Sequence, residues 1–114
     1  MTHWTLILFY LFAAHAFFDF AGQGDFMAKG KNHKQPIPGV PWYQCLFAHS
    51  LIQGAAVAFI LQNPALGIAE LVIHFGTDYA KSDGRLTFNQ DQGIHYGCKV
   101  LWWAVAIAIV RMGR

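Results

Sequence analysis

The residues with the clearest chemical potential in this sequence are histidines and aspartates spaced four positions apart. His15 precedes Asp19, and His74 precedes Asp78, at this spacing. In a helix, side chains at positions i and i+4 lie on one face, so each pair presents an imidazole nitrogen and a carboxylate oxygen to the same point. Mixed imidazole and carboxylate sets suit zinc, manganese or iron. The two pairs therefore predict a divalent metal site.

Other polar residues extend this set. Asp91 and His95 have the same spacing in reverse order. Glu70 lies one helical turn before His74, and His49 stands in an apolar stretch. A bound metal would lower the pKa of a water molecule and make it a nucleophile, as in metal-dependent hydrolases, with Asp91 or Glu70 as the general base. The predicted metal ligands are His15, Asp19, His49, His74, Asp78 and His95.

Three residues close to these pairs are predicted to bind a substrate. Lys81 and Arg85 follow the second pair, where they would hold a phosphate-bearing lipid headgroup. Gln92, next to Asp91, completes the predicted substrate site. His3 and His33 lie away from the pairs and are expected to be solvated.

Each member of the set also has a simpler interpretation. Asp91 would suit the cap of a helix. Asp19 and Asp78 would be cheap to ionise if they lay in the headgroup layer, and a lone His49 is commonly a hydrogen-bonded core residue. Glu70 would then only hydrogen-bond a neighbouring helix. The metal site is favoured because separate segments deliver the same residue types to one level of the predicted bundle.

Four apolar segments must position these residues. Hydrophobic residues make up 55% of the 114-residue chain and charged residues 12%, about half the charge of a typical soluble domain. A membrane-spanning helix needs about 20 apolar residues, and the third segment is short for this. The sequence predicts an all-α, four-helix transmembrane bundle, a single domain over residues 1–114, with helices at about residues 3–20, 42–62, 65–80 and 94–112.

The connections between these segments differ in character. Residues 21–41 hold three of the four prolines and are expected to be non-helical. Asn63 and Pro64 predict a tight turn that makes a hairpin of the second and third helices, and residues 80–93 predict a solvated loop. The pattern His-x-x-x-Asp-aromatic occurs in the first and third segments, which suggests two pseudo-repeated hairpins. A stripe of small residues predicts close helix packing: Ser50, Gly54 and Ala58.

Basic residues predict the orientation in the membrane. They concentrate in the two long connections: Lys29, Lys31, Lys34, Lys81 and Arg85. The opposite side has only Arg111 and Arg114. Because cytoplasmic loops carry the excess of Lys and Arg, we expect both long connections in the cytoplasm and both termini outside. The expected location is the bacterial inner membrane.

Charge and cysteine content exclude some classes of protein. The net charge of +2 is too small to indicate a nucleic-acid partner, and no basic stripe or phosphate loop supports one. Cys45 and Cys98 fit neither a disulfide framework nor a paired zinc motif. Both are expected to be reduced apolar residues near the cytoplasmic ends of their helices.

The order of the motifs resembles a known family over nearly the whole chain. The family is one of small uncharacterised integral membrane proteins from bacteria, phages and prophages, and it carries a domain-of-unknown-function label. The resemblance implies kinship and a membrane bundle, but no activity. The His/Asp pattern is also loosely similar to that of membrane-bound metal-dependent hydrolases. The motifs are His15-x-x-x-Asp19-Phe20, His74-x-x-x-Asp78-Tyr79-x-Lys81 and Asp91-Gln92-x-x-His95.

Two functions remain open from the sequence. One is a metal-dependent membrane hydrolase with zinc, manganese or iron at the His/Asp cluster. The other is a non-enzymatic phage, prophage or accessory protein that binds a partner complex or forms a homo-oligomer, with the cluster as a structural network. In both, the lipid bilayer surrounds the chain. An ion pathway is disfavoured, because titratable residues are missing from the outer ends of the predicted helices.

Overall fold

A computed structural model describes residues 3–113 of the protein. Over this range the chain is all-helical, as expected, and contains no strand. Arg114, which the orientation argument uses, lies outside the described residues. The elements are α1 (His3–Ala16), a π-helical segment (Phe17–Ala21), α2 (Gly24–Gly30), α3 (Trp42–Leu61), α4 (Pro64–Ser82) and α5 (Phe88–Met112).

Three helical stretches, not the expected four, are long and apolar enough to cross a membrane. They are His3–Ala21, Trp42–Leu61 and Phe88–Met112. Helix α4 has 19 residues, about 28 Å at 1.5 Å per residue, so its length is sufficient. Its apolar character is not, because Glu70, His74 and Asp78 lie on it and face the interior of the bundle, where each is at most 4% exposed.

The first span changes its winding before it ends. The amide of Gly22 donates to the carbonyl of Phe17 at 2.6 Å, a bond across five residues instead of four. The π-helical segment therefore fits one more residue into its turn than an α-helix does. Asp19 lies in this segment, where the side-chain amide of Gln23 donates to its carbonyl oxygen at 3.0 Å. The predicted helix at about residues 3–20 is thus present as a continuous stretch over His3–Ala21, but its last turn is π-helical.

The connection after the first span is more ordered than expected. Helix α2 occupies part of the region predicted to be non-helical. Gly24 has φ +75°, a backbone conformation that side chains disfavour, and it lets the chain turn into α2. Gly30, at the other end, lies against α3, where an added Cβ would come within 2.7 Å of Cys45 Sγ. Helix α2 therefore begins at a turn and ends at a close contact with α3.

His33, expected to be solvated, joins the same connection to the end of α4. Its ring stacks on Tyr79 with 3.8 Å between centroids and 2° between planes. Its Nε2 donates to Asp83 Oδ1 at 3.0 Å. This hydrogen bond holds the pKa of the Asp83 carboxyl below its ordinary value. We call these three residues the His33 clasp.

Helices α3 and α4 form the predicted hairpin. Gln62 ends α3 in the left-handed conformation, with φ 52°. The Asn63 side chain accepts from the amide of Leu66 at 3.1 Å, and Pro64 occupies the first turn, where its missing N–H is no loss. The Asn-Pro turn therefore both stops one helix and starts the next.

The small-residue stripe lies in this hairpin, as predicted. A Cβ added to Gly54 would lie 2.5 Å from the carbonyl oxygen of Gly67, and one added to Gly67 would lie 2.5 Å from Ala58 Cβ. The two helix backbones are therefore as close as the absence of side chains allows. This contact fixes the depth of α4, which carries much of the polar cluster.

Helix α5 begins six residues earlier than expected, so the predicted loop over residues 80–93 shrinks to residues 83–87. Thr87 is the cap: its hydroxyl accepts from the amide of Gln90, and the Gln90 side chain accepts from the amide of Thr87. Asp91 is not the cap. It lies in the first turn of α5 and is 1% exposed. Because most residues of this first turn are polar, the sequence pattern did not indicate that the helix begins there.

The bundle has an apolar half and a polar half. The apolar core consists of Leu11, Val57, Leu66, Trp102 and Ala106. In that half, Trp103 Nε1 donates to the carbonyl of Trp4 at 2.7 Å, which ties α5 to the start of α1. The histidines and carboxylates lie in the other half, where α1 ends and α5 begins.

Candidate metal centre

A set of titratable side chains is buried in the polar half of the bundle. It draws on α1, the π-helical segment, α3, α4 and α5. Charged groups at such depth are costly unless they are paired or bind a metal. Each of the following is at most 8% exposed: His15, Asp19, His49, Glu70, His74, Asp78, Asp91, His95 and Lys99.

Four of these residues converge on one point. Asp19, His49, His74 and Asp78 each place one ligand atom within 4.8 Å of the others. His49 Nε2 lies 3.0 Å from Asp19 Oδ1 and 3.1 Å from His74 Nε2. Asp78 Oδ2 lies 3.4 Å from Nε2 of both His49 and His74, and His74 Nε2 lies 3.9 Å from Asp19 Oδ1. We call these four residues the central site.

These distances have the size that a four-coordinate metal requires. Bonds of about 2.0–2.2 Å to nitrogen and oxygen, in a tetrahedron, separate neighbouring ligand atoms by roughly 3.3–3.6 Å. The five distances given above, from 3.0 to 3.9 Å, lie on both sides of this range. Two imidazoles and two carboxylates are ligands that zinc, manganese and iron accept. The side chains present therefore fit a divalent ion.

The ring of His74 is fixed in the tautomer that a metal ligand needs. Its Nδ1–H donates to Glu70 Oε2 at 2.9 Å. Glu70 is itself held by Lys99 Nζ at 2.8 Å and by Trp102 Nε1 at 2.8 Å. With its proton on Nδ1, the neutral form of the ring would have its lone pair on Nε2, the atom that faces the central site. A carboxylate behind a histidine in this way is usual in metal sites.

His95 lies beside the central site and not in it. Its ring stacks on His74 with 3.9 Å between centroids. Its Nε2 lies 2.9 Å from Asp78 Oδ1 and 3.3 Å from Asp91 Oδ1. Asp78 therefore has one oxygen toward the central site and the other toward His95.

His15 is also outside the central site, although it belongs to a predicted pair. Its Nε2 lies 2.9 Å from Gln92 Oε1 and 3.6 Å from Asp19 Oδ2. The amide of Gln92 donates to Asp19 Oδ2 at 2.7 Å. Gln92 thus bridges the first predicted pair, a contact between α5 and the end of α1.

A polar cavity of about 320 Å³ opens beside the cluster. Its lining includes Asp19, Asp78 and Asp91 and the cations Lys31 and Lys81. Lys31 Nζ lies 3.1 Å from Asp78 Oδ2 and 4.0 Å from Asp19 Oδ1. The cavity therefore joins the ligands of the central site to two positive charges.

Two of the three predicted substrate residues lie at this cavity. Lys81 and Gln92 line this cavity. Arg85 does not: its side chain is 75% exposed and pairs with Asp83 in the loop. Lys31 was not predicted as a site residue, because its segment reads as a solvated connection in the sequence. Lys99 and Trp102 were missed too, since they look like an ordinary cation and an apolar residue until Glu70 is placed beside them.

Comparison with known protein families gives a match over most of the chain. The model of the family described as "Protein of unknown function (DUF3307)" matches residues 7–112. The chain belongs to this family. The matched range holds every residue of the central site and of its surroundings. The family description assigns no activity, so function must be argued from the site.

No curated protein and no solved structure matches the chain.

Proposed function

We propose that the protein is a divalent-metal-dependent hydrolase of the bacterial inner membrane. The observation that carries this proposal is the central site: four ligand atoms lie within 4.8 Å of one another, in a buried setting. The Glu70 contact, which engages Nδ1 of His74 on the side away from this site, supports it further.

A divalent ion held by Asp19, His49, His74 and Asp78 would supply a nucleophile, because it would lower the pKa of a bound water to about 7. The water oxygen would bond to the phosphorus or carbonyl carbon of the substrate as the bond to the leaving oxygen breaks. The proton that the water loses would pass through the general base to the leaving oxygen. Of the two predicted bases, Asp91 lines the cavity. Glu70 does not line the cavity and both its oxygens accept hydrogen bonds, which suits positioning of His74 instead.

The substrate class follows from the cations in the cavity. Lys31 and Lys81 face the same space as the carboxylates. Lysine is a common phosphate-binding residue, and the expected location of the cavity is near the cytoplasmic membrane surface. We therefore propose a phosphate-bearing headgroup as the substrate, with Lys31 bound to its anionic oxygens. Arg85, in the loop, would at most attract the headgroup.

The membrane arrangement is part of the proposal. Helix α4 is not apolar enough by composition, but it pairs with α3 along its length through Gly54 and Gly67. Its outward residues Ile68 and Val72 are 63% and 60% exposed, as a lipid-facing surface would be. We propose that α4 crosses with α3, which places both termini outside and the cluster at the cytoplasmic end.

The test begins with metal content. Protein purified in detergent without chelators is assayed by elemental analysis, and we expect stoichiometric zinc, manganese or iron. His74→Gln should lose the metal because it removes a ligand. His3→Gln, which changes an exposed histidine at the far end of α1, is the matched control and should keep it.

Activity is then measured with bis(p-nitrophenyl) phosphate and with vesicles that contain phosphatidic acid. We expect hydrolysis that stops on chelation and returns with the metal. A metal-free wild-type protein that hydrolyses neither probe after metal addition would overturn the proposal.

One observation favours the non-enzymatic alternative. Lys31 pairs with Asp78, and Lys99 with Glu70, so two of the buried carboxylates have cationic partners from the chain itself. In that case His74→Gln would lower the thermal unfolding temperature, and the wild-type protein would contain no stoichiometric metal. The cluster would then act as a polar core in a protein that binds a partner complex.

A further inference from the structure

We infer that the cluster holds a second divalent ion beside the central one, with Asp19, Asp91 and His95 as its ligands and Asp78 shared between the two. The inference rests on the proposed function, and it changes the number of metals and the role of Asp91. Two neighbouring ions would form a centre that binds both oxygens of a transferring phosphate.

The ligand atoms of the second position are close together. Asp19, Asp91 and His95 each place one such atom within 4.8 Å of the others. All three residues are at most 8% exposed. Asp19 also belongs to the central site, so the two positions share Asp19 in addition to the bridging Asp78.

Asp78 is oriented as a bridge. Its Oδ2 lies 3.4 Å from both histidine nitrogens of the central site. Its Oδ1 lies 2.9 Å from His95 Nε2, on the other side of the carboxylate. A carboxylate with one oxygen toward each of two imidazole groups is arranged as it would be between two metal ions.

Asp91 provides an independent observation. Its Oδ1 is buried and accepts no hydrogen bond from the described residues, although it lies 3.3 Å from His95 Nε2. A buried carboxylate oxygen without a donor is unfavourable. A metal ion bound with His95 would satisfy it.

The charges also suit two ions. Asp19, Asp78 and Asp91 are carboxylates around one cavity, and Lys31 is the cation closest to them. Glu70 and Lys99 pair with each other behind His74. The cavity cations Lys31 and Lys81 leave these three carboxylates with one net negative charge, so two divalent ions would make the site positive and attractive to a phosphate. Asp91 would then be a ligand, and the two ions together would lower the pKa of a water bound between them.

The test counts the ions. Protein in detergent is stripped with chelator, loaded with Mn²⁺ and freed of excess metal. Elemental analysis should give about two manganese ions per chain, and the electron paramagnetic resonance spectrum should show exchange coupling between them, as for two-metal sites. Asp91→Asn should reduce the content to about one ion and give the spectrum of an isolated ion. Asp25→Asn, an exposed carboxylate of α2, is the control and should keep both.

The outcomes separate the two proposals. One uncoupled ion per chain in the wild-type protein would refute the second position and leave the hydrolase proposal standing. No bound ion would overturn both. Two coupled ions that persist in Asp91→Asn would refute Asp91 as a ligand of the second ion. If Asp91→Asn does not fold, the count in the wild-type protein still decides, and His95→Gln replaces it as the variant.

Discussion

At the scale of the residue, the ring of His74 is held by contacts on two sides. This restraint fixes which ring nitrogen faces the central site. Glu70 fixes the nitrogen that points away from the central site, and His95 stacks on the ring face. The imidazole can therefore neither flip nor tilt without loss of a contact. A ligand so restrained needs little reorganisation when a metal binds.

The first prediction concerns Glu70. Glu70→Gln should weaken metal binding by about 10–100-fold, the usual effect of the loss of a carboxylate behind a metal-bound histidine. The measurement is the dissociation constant from competition with a chelating dye. Unchanged affinity would contradict the positioning role.

This variant also leaves Lys99 buried without its carboxylate, which lowers stability by itself. The double variant Glu70→Gln/Lys99→Met removes that unpaired charge and serves as the control. We expect it to recover thermal stability but to keep the weakened metal affinity. Recovery of both would show that the single variant acted through folding alone.

Residue spacing predicted the residue types of the cluster, but it did not predict which of them form the central site. The four-residue spacing is a property of one helix, so it identified His15 with Asp19 and His74 with Asp78. The central site instead crosses helices, because Asp19 meets His49 of α3. Such contacts depend on how the helices rotate and slide against each other, which spacing within one helix does not contain.

At the scale of the elements, the α3–α4 hairpin is the most constrained part of the chain. The glycines of its interface leave no space for a side chain, and the Asn-Pro turn fixes its register. Since α4 carries three residues of the cluster, a shift of this helix would move Glu70, His74 and Asp78 together.

Gly54→Ala tests this interface. The new methyl group would collide with the backbone of Gly67, and we expect a loss of about 1–3 kcal/mol in the free energy of unfolding, as for other overpacked sites. The measurement is thermal unfolding in detergent by circular dichroism. Gly76→Ala is the control, since nothing lies within 4 Å of its added Cβ. It should be neutral or slightly stabilising. Equal changes in stability for the two variants would refute the close contact between α3 and α4.

The His33 clasp should respond to acid. The pKa of Asp83 is below its ordinary value because of the hydrogen bond from His33, so the folded state favours the ionised carboxyl. Its contribution to stability is complete above the ordinary pKa of about 4 and disappears as the pH falls through the lower folded value. Between about pH 5 and 2, Asp83→Asn should flatten the pH dependence of unfolding relative to wild type, whereas Asp25→Asn should not. A parallel loss in wild type and Asp83→Asn would exclude the clasp as the cause.

Among the elements, the apolar ones were easier to predict than the polar ones. The hairpin turn was recognised because Asn-Pro has a local meaning. Helix α2 and the first turn of α5 were missed, since Asp25 or Asp91 looks like part of a loop when its partners are unknown. Helix α4 was expected to be a fourth, short span, but its buried polar residues make it less apolar than the three helical stretches that qualify by composition.

At the scale of the whole molecule, the bundle has an apolar end and a polar end, and the start of α1 lies at the apolar end. The link between Trp103 and Trp4 places the start of α1 beside the second half of α5. The helices that follow α1 must therefore return to that side. An arrangement with three crossings would separate these two residues across the membrane.

The topology can be tested by reporter fusions. A reporter fused after Arg114 should be extracytoplasmic, and one inserted near Lys34 should be cytoplasmic. The physical reason is the concentration of Lys and Arg in the two long connections. An alkaline phosphatase and a fluorescent protein, active on opposite sides, give matched readouts. A cytoplasmic C-terminus would contradict four crossings and would require α4 to lie within one side of the bilayer.

The π-helical segment determines how this part of the chain responds to inserted and deleted residues. One more residue per turn than in an α-helix is what remains when a single residue is inserted into a helix whose ends are both fixed by other contacts. Deletion of Phe17 or Phe18 would therefore restore a regular α-helix without rotation of the residues before it. The same deletion elsewhere in α1 would turn everything before it by about 100° relative to Asp19. This short stretch should therefore tolerate the loss of one phenylalanine better than the rest of α1 tolerates the loss of any residue.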